Sequence, residues 1–171
     1  MVGPVQQSAL RRHGPWAGAG VAICASFLMV HEGYAPVATH ERVDPPRVIT
    51  WCFGRTNYDY PGVKAGTRFN KAQCEQFLSQ DLPKYAAPVQ ECIPTFDTMP
   101  PTRQASLVSF SYNLGSGTLC KSKVAHQLNA GNISGGCNAM AAYVRANGKV
   151  LQGLVNRRRD EIKLCLKDGA K

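Results

Sequence analysis

Between Glu32 and Gly54 the chain carries two carboxylates and a hydroxyl at spacings that could do chemistry. Glu32 stands in His31-Glu32-Gly33, Asp44 follows, and Thr50 opens Thr50-Trp51-Cys52-Phe53-Gly54. Two carboxyls in unlike surroundings suit hydrolysis of a glycosidic bond. One, held protonated, gives its proton to the departing oxygen; the other, ionised, activates water. Glu32 closes an uncharged run from Gly14 to Val30, where partial loss of solvent favours the protonated acid. Asp44 lies in a loop broken by Pro45-Pro46, and Thr50 stands on a β-branched and aromatic stretch. These residue types alone are a weak signal, since any loop can hold two acids.

Order and flanks sharpen it. Glu-Gly, then Asp, five residues, and Thr-x-x-x-Gly resembles the phage-type lysozymes of glycoside hydrolase family 24. Later motifs resemble the same family, so the likeness runs roughly from residue 30 to residue 165. Gly153-Leu-Val-Asn-Arg157-Arg158-x-x-Glu161 resembles its late helix, whose first Arg pairs with the catalytic Glu; this implies that Arg157 orients Glu32. Phe110-Ser-Tyr112-Asn113-Leu-Gly115 resembles the segment beside the sugar cleft, which implies a substrate contact for Asn113, with Tyr112 read as core. Arg55 stands where the family usually has His, and Asp81 matches that residue's partner, so a structural Arg55–Asp81 ion pair is expected. The resemblance implies an inverting mechanism in which Asp44 and Thr50 position the attacking water. Inversion needs the carboxyls roughly 6.5–9.5 Å apart. The eleven residues between Glu32 and Asp44 form a longer spacer than the family usually has, and Glu41 within it is the alternative second carboxylate.

Composition narrows the function classes. A chain of 171 residues with 44% apolar content is one globular domain's worth. Lys and Arg exceed Asp and Glu by nine, which suits an anionic polymer or surface. The positive charges form no dense tract with interleaved aromatics, so a nucleic-acid partner is not expected. No Cys-x-x-Cys occurs and the four His are scattered, so no metal and no cofactor are expected.

The elements that must position the site follow from pattern. Arg47 to Phe53 reads as a strand ended by Gly54, with loop from 33 to 46 before it and turns from 56 to 67 after it. Asn70 and Gln73 form a capping box that starts a helix near Lys71, which Pro83 should kink or divide. Pro100-Pro101 opens a helix apolar nearly all round, hence central and buried, with Gly115 as its C-cap. Further helices are expected near 121–128, 137–145 and 153–166, with Asn147-Gly148 closing the second of these. The sum is an α+β, helix-dominated, lysozyme-like fold with a small β element on its N-terminal side.

Before the site come a basic stretch, 1–13, and the uncharged run 14–30; residues 31–171 are read as the catalytic domain. Basic residues before an apolar run predict a cytoplasmic start. The run is short for a membrane span and rich in Ala and Gly, so a cleaved signal peptide, a lasting anchor and a signal-anchor-release segment compete. The last is preferred, because Glu32 lies so close to the run that cleavage would delete its supporting helix. Export, a tether to the inner membrane, release to the periplasm and a monomeric enzyme are expected. Seven cysteines suit an oxidising compartment. Cys120 and Cys137 flank a turn at Asn129-Ala-Gly131 and are expected to pair. Cys24 is the odd thiol, either a small buried apolar residue or a partner for exchange with a bond involving Cys52. The leading function is a phage endolysin, a muramidase acting on peptidoglycan. A lytic transglycosylase and a tethered, non-catalytic wall-binding protein are its rivals.

Overall fold

A computed structural model of the chain describes residues 14–40 and 48–169. Asp44 and its alternative Glu41 lie outside the described residues, as does the basic stretch 1–13.

The uncharged run forms helix α1, Ala19–Glu32, between Gly18 and Gly33, both at positive φ. One side of α1 is buried through Gly20, Cys24, Ala25 and Leu28. The segment before it is pinned: the Trp16 indole donates to Gln104 Oε1 at 3.0 Å, and Gln90 Nε2 donates to the Gly14 carbonyl at 3.1 Å. Gly20 is required because a Cβ there would sit 2.7 Å from the Trp16 indole nitrogen.

Three antiparallel strands follow in the order β1 (Ala35–His40), β2 (Ile49–Cys52) and β3 (Arg55–Thr56). Thr50 pairs with Thr39 on one side and Thr56 on the other. The sequence reading took residues 33–46 as loop; the structure makes Ala35–His40 a strand. Pro36 and the polar Thr39-His40 end hide the β pattern, and pairing with β2 supplies the ordering that local preference lacks.

Helix α2, Lys71–Cys92, starts at the capping box, in which Asn70 and Gln73 exchange side-chain to backbone hydrogen bonds of 2.9 Å. It runs through Pro83 and Pro88 as one element and is not divided. Leu78, Leu82, Ala86 and Val89 give it an apolar face that offsets the missing backbone donors. After a 3-10 turn at Phe96–Thr98 comes α3, Pro101–Leu114, buried along most of its length and ended by Gly115 at φ 83. It is the central helix, packed by α1 and α2.

The short helices α4 (Ser116–Cys120), α5 (Lys123–Asn129) and α6 (Ile133–Ala139) lead to a 3-10 turn, Met140–Ala142. The helix expected over 137–145 is therefore corrected: α6 starts earlier, under the Asn132 side chain that caps it. Asn147-Gly148 closes no helix but forms the turn of a hairpin, β4 (Arg145–Ala146) with β5 (Lys149–Val150). Both residues have positive φ, the pattern Asn-Gly favours in two-residue hairpins. The last helix, α7, is Gln152–Leu166 and packs on α3. The whole is α+β and helix-dominated, with the sheet on the N-terminal side.

Among the described residues three disulfides staple the core. Cys52–Cys74 joins β2 to the start of α2, Cys92–Cys120 joins the end of α2 to α4, and Cys137–Cys165 joins α6 to α7. The expected Cys120–Cys137 bond is overturned. The chain does reverse between them, but α5 and α6 pack on each other and turn the two thiols to different neighbours. Cys120 faces the end of α2, and Cys137 faces α7. Cys24 is free and fully buried, and that burial pushes its thiol pKa up.

Candidate active site

Glu32 is the last residue of α1, and Gly33 at φ 74 turns the chain away behind it. Its carboxyl is 20% exposed and receives Arg157 Nη1 at 2.5 Å. Arg157 comes from α7, 125 residues away, and is itself nearly buried. Such a guanidinium holds the carboxyl in place.

A third element closes on the same carboxyl. The turn Phe53-Gly54 joins β2 to β3, with Cys52 and Gly54 both at positive φ. A Cβ on Gly54 would stand 3.6 Å from Glu32 Oε2 and 3.4 Å from the Tyr112 hydroxyl. Tyr112, on α3, donates to the Phe53 carbonyl at 2.6 Å and so fixes the turn beside the acid. The sequence reading gave Tyr112 to the core. Half-buried, it serves both packing and the site, and its burial pushes its pKa up. Nothing in its local pattern marks it, because the partner carbonyl is 59 residues away.

Behind Arg157 lies a buried polar cluster. Arg157 Nε reaches Glu161 Oε1 at 3.1 Å, and Nη2 lies 3.3 Å from the Ser109 carbonyl. Arg158 places Nε 3.0 Å from Glu161 Oε2 and donates through Nη2 to Asn113 Oδ1 at 2.8 Å. Burial lowers the Arg158 pKa to about 10, and it pushes that of Glu161 up against the pull of both guanidiniums. In the sequence Glu161 stands out only as part of a motif and Ser109 not at all, because a lone Ser on an apolar helix carries no signal.

Thr50 sits in the middle strand that leads into the Phe53-Gly54 turn. Arg55, just past that turn, forms a two-pronged pair with Asp81: Nε to Oδ2 at 2.6 Å and Nη2 to Oδ1 at 2.8 Å. Its guanidinium also stacks over Tyr60 and Phe77, so it braces β3 against α2. No cluster of three or more metal-ligating side chains occurs among the described residues.

The phage lysozyme family model matches residues 30–161. A SAR-endolysin of bacteriophage PS119 is 31% identical over 154 residues, covering 88% of this chain and 89% of that protein. The endolysin of Escherichia coli O157:H7 phage FAHEc1 superposes with a TM-score of 0.72 at 28% identity, covering 93% of this chain and 98% of the other. The muramidase domain of SpmX from Asticcacaulis excentricus gives 0.72 at 26% identity, covering 91% and 99%. The match spans Glu32, the sheet, the central helix and Arg157, whose guanidinium meets Glu32, and the chain belongs to the phage lysozyme family.

Proposed function

We propose that this peptidoglycan hydrolase is an inverting muramidase in which Glu32 is the general acid. The observation that carries the reading is the half-buried Glu32 carboxyl, held by Arg157 at 2.5 Å and faced by the Gly54 turn. An acid must be oriented, partly screened from water and still reachable by substrate, and Glu32 meets each condition. Its proton goes to the glycosidic oxygen as the bond between N-acetylmuramic acid and N-acetylglucosamine breaks. In this reading Asp44 accepts a proton from water attacking the opposite face of the sugar, and Thr50 holds that water. In the same reading Asn113, whose Oδ1 accepts from Arg158 Nη2, contacts the glycan.

Release by phage, export and a temporary tether through residues 14–30 belong to the same proposal, supported by the uncharged run and the SAR-endolysin relatives. No helix among the described residues is long and apolar enough to cross a membrane. In the folded enzyme that run is packed as α1, so tethering and the folded site exclude each other. The enzyme is read as a monomer.

The test is mass spectrometry of peptidoglycan digested by wild type, Glu32→Gln and Asp44→Asn. Wild type should leave hydrolysed, reducing ends, and Glu32→Gln should lose about a hundredfold or more in rate while staying folded. Products with 1,6-anhydro ends and an active Asp44→Asn would make it a transglycosylase. Full activity of Glu32→Gln removes Glu32 from the role.

A further inference from the structure

Glu161 is fully buried, and a carboxylate in that position costs stability unless its partners are well placed. Its surroundings are one-sided. Oε1 accepts from Ser109 Oγ at 2.7 Å and from Arg157 Nε at 3.1 Å, while Oε2 lies 3.0 Å from Arg158 Nε. Both arginines therefore turn toward the same carboxylate, Arg157 with an Nε hydrogen bond and Arg158 with an ion pair at Nε and an Nη2 contact to Oε1 at 3.4 Å. Each then has a terminal nitrogen directed at a different residue, Arg157 Nη1 at Glu32 and Arg158 Nη2 at Asn113.

We propose that Glu161 is a positioning residue, a buried anchor that holds Arg157 on the acid and Arg158 on Asn113 at once. The proposal rests on the reading of Glu32 as general acid. An apolar residue at 161 would fill the same space at less desolvation cost, so stability alone does not call for this carboxylate. What an apolar residue cannot do is fix two long, rotamer-rich side chains in one geometry.

Charge gives the anchor a second consequence. Glu32, Arg157, Glu161 and Arg158 alternate in sign along the cluster. Among the described residues, the other charged or titratable groups around this cluster are His31 and Cys24 of α1, Tyr112 of α3 with Tyr85 and Asp81 of α2 behind it, and Asp160 of α7. Removing the charge of Glu161 leaves two cations beside Glu32 with one fewer anion. More net positive charge beside a general acid favours its conjugate base. A general acid works protonated, so the alkaline limb of the activity profile should move to lower pH.

The experiment compares wild type, Glu161→Gln and the double variant Glu161→Gln/Arg158→Gln, with solubilised glycan strands as substrate and circular dichroism to report folding. Glu161→Gln should lose about tenfold in kcat at neutral pH, with its alkaline limb about one pH unit lower. The double variant removes one charge of each sign, so its limb should return toward wild type. Its KM should rise severalfold, because Asn113 has lost its tie. A folded Glu161→Gln with the wild-type profile overturns the proposal, and so does a loss uniform in pH that the double variant does not move. Should Glu161→Gln alone fail to fold, the double variant decides: a raised KM with an unmoved limb supports the anchor, and wild-type kinetics overturn it. If neither folds, Glu161 serves stability and the proposal falls. Glu32→Gln, run alongside, keeps the two readings apart, since its activity bears on the acid and not on the anchor.

Discussion

At the scale of single residues, the site works by holding charges that water would otherwise hold. Arg157 is the clearest case, since its guanidinium meets Glu32, Glu161 and Ser109 together. Arg157→Met should fold poorly or lose about 3–5 kcal/mol in urea unfolding, because Glu161 would keep its burial and lose a partner. A loss under 1 kcal/mol would show that the cluster relaxes around the gap. His31, next to the acid, gives a pH dependence. Burial and the Arg157 charge lower its pKa, outweighing Asp160 at 3.6 Å. The folded protein then binds fewer protons at His31 than the unfolded chain. This contribution is full above the ordinary imidazole range and is lost as pH falls through it. Thermal unfolding from pH 8 to pH 5 should show a shallower decline in His31→Gln than in wild type. Parallel curves would remove His31 as a source of the decline.

At the scale of elements, each piece of the site is delivered by a helix or turn with its own stop signal. Gly33 ends α1 at the acid, and the capping box starts α2 where Cys74 must meet Cys52. Asn70→Ala removes the side chain that accepts from the Gln73 amide and should cost about 1 kcal/mol in chemical denaturation. An unchanged midpoint would mean that the disulfide alone sets the start of the helix. The hairpin at Asn147-Gly148 shows how a local signal can be read for the wrong element. Asn-Gly suits a helix end and a two-residue hairpin equally, and the short partners β4 and β5 are too polar to announce themselves.

At the scale of the whole molecule, α1 has two duties that pull its sequence in different directions. An uncharged run rich in Ala and Gly is weakly favoured in lipid, and the same small residues let α1 pack closely on α3. Ala19 and Ala22 are exposed on the outer side of α1, so Ala19→Leu with Ala22→Leu should leave the folded enzyme within about 0.5 kcal/mol of wild type. The same pair makes the run more favourable in lipid. Fractionation should find more protein with the membrane, and lysis should come later. Lysis on the wild-type schedule would argue against the tether. Gly20 is unsuited to this test, since any side chain there strikes Trp16 and would unsettle the folded form as well.

The sequence by itself determined what depends on near neighbours. The capping box, the all-round apolar pattern of α3 and Gly115 at its end are local, and they place α2 and α3, the second of which packs against the helix α7 that carries the arginines. The order of Glu32, Thr50, Gly54 and Arg157 was enough to point to the family, because spacing survives where surrounding residues change. Tertiary structure decided what depends on contacts between distant segments. Six cysteines outside α1 admit fifteen pairings, and only the packing of α4, α6 and α7 turned Cys120 to Cys92 and Cys137 to Cys165. Strand β1 exists because β2 lies beside it. Tyr112 reaches a carbonyl 59 residues away, and Glu161 is an anchor because folding buries it between two guanidiniums, with Ser109 on the facing helix. Burial turns such a carboxylate from a solvated charge into one that must bind what surrounds it, and burial is not written in any stretch of sequence.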